Sequence, residues 1–312
     1  NAVSTGTAVL IKNTADYLDT YYSASGAGQV SNIGTWAARE AGTLGNNIKV
    51  SLCPNSTAFG PHSMSGNLVA DASAAIGDTT ISVDDGSLMQ VGDILEFGDA
   101  AAVPSTDGAP SGFYYKITAI STNLLTIARF NPQTGVTETG GLRHAVVDNA
   151  KVLRHWEYYF NFGTPPTTTD DVSAAGGTLD ELHIAVIDED GAISGTTGTI
   201  LETFAGVSQA HDAKTSNGAS NYYPNVLYTQ SKYIYWVDHL ATLSDGLAKT
   251  GTTFDNSVGD AFVVSNTSLA SGTDDFAATN AEIATAYEKF NDTENVDLSL
   301  LICGPSQTGA DA

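Results

Sequence analysis

Asp188, Glu189 and Asp190 set three carboxylates side by side, inside a stretch (residues 180–204) that holds six such groups in 25 positions. Adjacent acids can ligate a hard cation or work as a catalytic pair. A calcium loop of the EF-hand kind needs oxygen ligands at positions 1, 3 and 5, glycine at 6 and a bidentate Glu at 12. Counted from Asp188, position 5 is Ala192, the glycine arrives at position 4 and position 12 is Thr199. The spacing fails three times. Paired-carboxylate hydrolysis needs two acids facing one cleft, whereas neighbours at a hairpin tip fan into water. The bland reading is a solvated turn in which Asp190-Gly191 permits positive φ.

The other reactive residue types are equally scattered. The histidines stand at 62, 144, 155, 183, 211 and 239, no two within ten positions, so no HExxH-like ligand spacing exists. His183 opens an apolar run and reads as a hydrogen-bonded core or edge residue. Cys53 and Cys303 lie in or beside the apolar runs KVSLC and LSLLIC, where a small thiol is inert filling. No G-x-S-x-G elbow and no G-x-x-x-x-G-K-[ST] phosphate loop occurs, and the glycines of GTTGT (195–199) open no Lys-bearing helix. The sequence assigns no catalytic, cofactor-binding or metal-ligating residue and no cofactor. Trp156, Tyr158, Tyr159, Phe160 and Phe162 fit either a sugar platform or cross-strand core pairs, the core being the commoner use in a β-rich chain.

The elements that must position these residues are mostly strands. TAVLIKN (7–13) is a short β-like run, WAAREAGTLGNN (36–47) a polar, glycine-punctuated loop, and Ile48 to Cys53 a strand stopped by Pro54. From 56 to 145, short runs (TTISV 79–83, DILEF 93–97, YYKITAI 114–120, LLTIARF 124–130) alternate with turn signals at Asp84-Asp85-Gly86 and Ser121-Thr122-Asn123. That texture predicts a small barrel or sandwich inserted into the chain. VLRHWEYYFNF (152–162) reads as a long strand. His183 to Ile187 is apolar enough for a strand covered on both faces. Residues 200–205 and SKYIYWV (231–237) are further strands, and 245–275 a Gly/Ser/Thr/Asp linker. Thr279 and Glu282 form a capping box ahead of a helix with Ile283, Tyr287 and Phe290 on one face. VDLSLLIC (296–303) is a buried strand beginning an α/β layer that the sequence leaves incomplete, so continuation of that domain is expected. The fold class is α+β, β-rich, with 1–55 and 146–245 as one discontinuous domain, 56–145 as an insertion, and 246–312 as linker and first helix-strand of a further domain.

The 312 residues carry 12 basic and 35 acidic groups, a formal net charge of −23. Binding to a phosphate backbone requires Lys and Arg to displace counterions, so direct nucleic-acid partners are excluded. Such charge serves solubility, or it requires assembly through apolar contacts or strand addition. Two cysteines make no disulfide framework. No run reaches the 18 apolar residues of a membrane span, and no basic-then-apolar leader opens the chain.

Three stretches resemble the contractile tail sheath protein of myovirus-type bacteriophages. WAAREAGTLGNNIKVSL (36–52) is similar to that family's aromatic-Ala-x-x-x-Gly-x-Leu-Gly-Asn segment, with Glu40-Ala41 where the family commonly has Tyr-Pro. ELHIAVIDEDG…ILETFAGVS…SNYYPNVLYTQSKYIYWV (181–237) resembles its central hairpin, Glu-x-Phe-x-x-x-Ser and Ser-x-Tyr-hydrophobic pattern. TNAEIATAYEKFNDTENVDLSLLICG (279–304) is similar to its helix followed by a Val-Asp-hydrophobic strand. The resemblance implies a non-enzymatic subunit of the virion tail, assembled in the host cytoplasm. It would polymerise with its own copies as a helical tube around the tail tube protein, meeting the baseplate and tail terminator. Contraction would drive the tube through the host envelope for DNA ejection. The resemblance also implies interlocking terminal arms, without which this stretch should not polymerise. An adhesin or receptor-binding β protein is the competing reading.

Overall fold

The computed structural model describes residues 35–64, 67–71, 73–98, 112–238, 240, 243, 246–254, 264–274, 279–288 and 290. The runs 7–13 and 296–303, with Cys303 and His239, lie outside these. The chain divides into two compact units, the first ending at Gly272 and the second beginning at Thr273.

In chain order the strands begin with Trp36–Ala38 (β1), Ile48–Cys53 (β2), His62–Ser63 (β3), Ser73–Ala74 (β4) and Thr80–Ser82 (β5). Ile94–Phe97 (β6), Tyr114–Ser121 (β7), Leu124–Asn131 (β8), Val136–Glu138 (β9) and Val146–Val147 (β10) follow. Then come Val152–His155 (β11), Glu181–Asp188 (β12), Thr199–Ser208 (β13), Ile234–Trp236 (β14) and Ser265–Ser268 (β15). The α-helices are short: Ser56–Phe59 (α1), Asp170–Ala174 (α2), Tyr223–Gln230 (α3) and Asn280–Glu288 (α4). The β-rich α+β class expected from sequence holds. All named strands pair antiparallel, and parallel bridges occur only at Thr178–Thr253 and Ser208–Tyr222 among the described residues.

The central sheet runs β13-β12-β2-β15. Side chains alternate across a pleated strand, and β12 uses the alternation to feed two cores. Leu182, Ile184 and Val186 join Val50, Leu52, Phe204, Tyr223 and Trp236 on one face. Ala185 and Ile187 join Cys53, Phe59, Trp156 and Phe162 on the other. This double burial explains the near-continuous apolar run at 183–187 in an antiparallel setting. The first core is closed by α3 and by the β1–β14 pair, in which Trp36 stands opposite Trp236.

A second sheet runs β3-β11-β6-β7-β8-β5, with β9 added to β8, over its own core of Met64, Ile81, Phe97, Tyr115, Ile127 and Val152. Strands β5, β6, β7 and β8 fall where the sequence places them, while β3 and β9 are additional. The path does not close on itself, so the barrel alternative is not realised. The two turn signals of this region meet. Asn123 accepts from the Gly86 amide (3.1 Å) and donates to the Asp84 carbonyl (2.7 Å). A Cβ on Gly86 would sit 2.1 Å from the Thr122 carbonyl oxygen, so only glycine allows this approach.

Three expectations are corrected. WAAREAG is no loop at its start: Trp36–Ala38 is a fully buried strand, because alanines beside a tryptophan can lie flat under α3 and β14. The strand expected over 152–162 ends at His155, after which the chain turns so that Trp156, Tyr158 and Phe162 enter the second face of the central sheet. The stretch expected as a linker supplies β15 as the fourth strand of that sheet, and buries Phe254 and Val264. In the second unit, the capping box forms as read, with the Glu282 carboxylate accepting from the Thr279 amide (2.8 Å) and hydroxyl (2.9 Å).

Candidate functional site

The acidic loop does not behave as one group. Asp188 ends β12 wholly buried, while Glu189 is half-buried and Asp190 exposed. The Asp188 carboxylate accepts from the amides of Gly191 (3.1 Å), Ile193 (3.0 Å) and Ser194 (2.6 Å) and from the Ser194 hydroxyl (2.7 Å). Burial pushes its carboxyl up, but these donors outweigh burial and hold it below the usual carboxylate range. Asp188 therefore organises the loop 189–198 from inside, with Gly191 at φ 82° making the turn. The reading of all three acids as a solvated tip is corrected for Asp188. Four protein donors already engage it, and no cluster of three or more His, Cys, Asp or Glu groups suited to a metal occurs among the described residues.

His183 and Cys53 are structural by the same test. His183 donates Nε2–H to the Thr164 carbonyl (2.8 Å) and accepts from the Gly206 amide at Nδ1 (3.0 Å), which fixes the neutral tautomer; burial lowers its basicity further. Burial pushes the Cys53 thiol far up, so no thiolate forms there. Of the aromatics, Trp156, Tyr158 and Phe162 are buried in the core, the Trp156 indole N–H donating to Ser51 Oγ at 2.8 Å.

The residues that carried the resemblance prove to be fasteners between distant segments. Arg39 donates Nε to the Ile234 carbonyl (3.2 Å) and Nη2 to the Leu227 and Tyr228 carbonyls, while its guanidinium lies 4.3 Å from the Tyr235 ring. It thus satisfies the open carbonyls at the end of α3 with a cation, the sign a helix C-terminus favours. Asn46 pairs with both backbone groups of Gly272 (2.7 and 3.0 Å), and a Cβ on Gly272 would meet the Gly42 carbonyl at 2.1 Å. Glu202 accepts from Ser231 Oγ (2.8 Å) and the Lys232 amide (2.7 Å), tying β13 to the exit of α3. Sequence pattern did not announce α3, although Pro224 at its first turn is an ordinary helix-start signal.

A buried charged junction joins the two sheets, and no local motif reveals it. Glu157 receives Lys49 from β2 (3.0 Å) and Lys116 from β7 (2.9 Å) on its two oxygens. Burial alone would raise its carboxyl; the two ammonium groups outweigh that and hold it low. Asp93 lies beneath, 1% exposed, and accepts from the Gln90 amide (2.8 Å). Burial raises it to about 7, opposed by the Gln90 amide and Arg154, with Glu157 adding to the rise. Arg154, wholly buried, donates to the Leu88 carbonyl (2.8 Å), and His155 Nε2 lies 2.7 Å from Glu96 Oε1. The arrangement braces one sheet against the other. Both its acids, Asp93 and Glu157, are buried.

No helix among the described residues is long and apolar enough to cross a membrane. No family model matches the chain. The chain is similar to the tail sheath protein of Salmonella phage ViI, with 25% identity over 254 residues, which cover 75% of this chain and 35% of that protein. It therefore spans about a third of the length of the curated relative it matches. That similarity agrees with the three stretches of sequence, and it identifies the chain as one that resembles a bacteriophage tail sheath protein.

Proposed function

We propose that this chain is a central portion of a contractile tail sheath subunit, a non-enzymatic building block of the phage virion. The observation that carries the reading is the similarity to the phage ViI tail sheath protein across 75% of the chain. In this reading, copies of the whole subunit assemble helically around the tail tube, between baseplate and terminator. Contraction then drives the tube through the host envelope for DNA ejection.

The physical requirement is a subunit that keeps its shape while its neighbours shift. The central sheet, covered on both faces and fastened by Arg39, Asn46 and Glu202, supports that role. Residues 56–145 are an insertion that faces away from the tube, its second sheet held on the central one through Glu157. Residues 1–55 with 146–245 form the sheath core, to which β15 of the following stretch adds a strand while β11 is lent to the second sheet. The outcome expected from negative-stain microscopy of the full-length protein is hollow helical tubes. A full-length protein that stays monomeric at every concentration and salt tested would overturn the assignment.

A further inference from the structure

We infer that Asn217 is a site of covalent self-modification, at which the side-chain amide nitrogen leaves as ammonia and the residue becomes aspartate or isoaspartate. Asn217-Gly218 is the single Asn-Gly step in the sequence. The reaction begins at the backbone nitrogen of the following residue, and glycine brings no Cβ to crowd its approach. The pair occupies the tip of a small hairpin. Lys214 and Ser220 form an antiparallel bridge, the Thr215 amide donates to the Ala219 carbonyl (2.9 Å), and Gly218 takes φ 84°. Such a turn favours glycine directly after asparagine. Residues 214–220 are all exposed, so water and hydroxide reach both reacting groups.

The side-chain bonds separate Asn217 from its neighbours. Its Oδ1 accepts from the Thr215 hydroxyl (2.5 Å) and the Ala219 amide (3.2 Å), and these are its side-chain hydrogen bonds among the described residues. Both donors face the oxygen that becomes negative as Cγ is attacked, the task of an oxyanion hole. Nothing holds the leaving nitrogen. Asn221 instead donates Nδ2 to the Gly206 carbonyl (3.0 Å), and Asn225 donates Nδ2 to Ser220 Oγ (3.0 Å). Those two also precede Tyr222 and Val226, whose side chains crowd the attacking nitrogen. The Gly218 amide donates to the Thr215 carbonyl (2.9 Å), a bond that local opening of an exposed tip exchanges for water.

Hydroxide removes the Gly218 N–H proton, and the electron pair left on nitrogen forms a bond to Asn217 Cγ. The Cγ–Nδ2 bond breaks, and Nδ2 leaves as ammonia after taking a proton from water, which regenerates hydroxide. Water then opens the cyclic imide. Breaking the new N–Cγ bond gives aspartate; breaking the original peptide bond gives isoaspartate, with the chain running through the side chain. The net change consumes water and releases ammonia. Aspartate fits the hairpin, because both contacts of Asn217 need only an acceptor and a carboxylate keeps one. Each modified chain adds a negative charge to the formal −23, raising the self-repulsion that copies must overcome to associate.

The test incubates the folded 312-residue chain for several weeks at pH 6 and at pH 8, then follows the tryptic peptide 215–232 by tandem mass spectrometry. That peptide carries Asn221 and Asn225 as internal controls. The expected result is a gain of about 1 Da at Asn217, faster at pH 8 than at pH 6 and about tenfold or more faster than at either control. Gly218→Ala should slow the gain by about tenfold. If that variant melts early because of φ 84°, Asn217→Gln takes its place, and no gain at 217 is expected because a larger ring would have to close. An unchanged Asn217, equal rates at the three asparagines, or a rate indifferent to pH would each overturn the proposal. Asn217→Asp should melt with the wild type; an earlier melt would overturn the fit of the product to the hairpin. Because the isolated chain is assayed, none of these outcomes bears on whether the full-length protein forms tubes.

Discussion

Lys116 on the second sheet reaches Glu157 at 2.9 Å, and Glu157 in turn holds Lys49 of the central sheet at 3.0 Å. Two sheets with separate cores are thus joined through one carboxylate that keeps only 10% of its side-chain surface. Removing one partner of a buried pair leaves the others uncompensated, which costs more than the pair contributes.

Glu157→Gln is therefore expected to destabilise the chain by about 2 kcal/mol, below the roughly 3–5 kcal/mol of a fully buried broken pair because both lysines keep some contact with water. Lys49→Met with Lys116→Met and Glu157→Leu should recover most of the loss, since apolar replacement of a whole buried ion cluster is often neutral. Urea denaturation of the single and triple variants checks both. Equal stability of Glu157→Gln and wild type would show that the junction does not hold the sheets.

Asp93 makes stability fall as pH rises. Its folded value, about 7, lies above the ordinary carboxylate value of 3.8. Folding therefore takes up a proton between the two, so its contribution is full below about pH 4 and lost as pH rises through about 7. The groups facing it are Arg154, Glu157 and Lys49, together with the Gln90 amide. Asp93→Asn removes the titration and keeps an oxygen for Gln90. Urea melts from pH 4 to 8 should show wild type losing stability against Asp93→Asn by a few kcal/mol, mostly between pH 5 and 7.5. A difference that stays constant with pH would refute the assignment.

Asp188 works with the opposite sign. Its folded value lies below the unfolded one, so its contribution is present above about pH 4 and disappears as the carboxylate protonates. Asp188→Ala strands the amides of Gly191, Ile193 and Ser194, an expected cost of about 2–3 kcal/mol. Glu189→Gln and Asp190→Asn should stay within about 0.5 kcal/mol of wild type, as surface changes do. Thermal melts of the three variants at pH 7 separate the buried acid from its neighbours.

That contrast also marks how far the sequence was legible. Alternating strands, turn residues and the Thr279–Glu282 capping box are local patterns, and they reappear in the strands around 79–131 and at the start of α4. Strand β1 and the end of β11 were misread because their form is set by distant partners, Trp236 and the Ser51 hydroxyl. The junction at Glu157 joins residues 41 and 108 positions apart, so no window of sequence contains it. Asp188 looked identical to Glu189 and Asp190 because burial is not a local property of a hairpin end. Spacing did dispose of a calcium loop, since that chemistry depends on near neighbours.

Ile184 and Ala185, adjacent on β12, test whether both faces of the central sheet are closed. Ile184 lies in the core shared with Leu52, Phe204 and Tyr223, and Ala185 in that of Cys53, Phe59 and Trp156. Ile184→Ala should create a cavity costing about 2–5 kcal/mol. Ile184→Asp places an unpaired charge there and should leave no cooperative melt at pH 7. Ala185→Leu adds volume to the opposite, already filled core, with an expected cost of about 1–3 kcal/mol. If only one face were packed, one of these neighbours would tolerate its change. A tolerant Ala185→Leu would mean that Trp156 and Phe162 do not press on the sheet, and the brace at Glu157 would lose the floor it stands on.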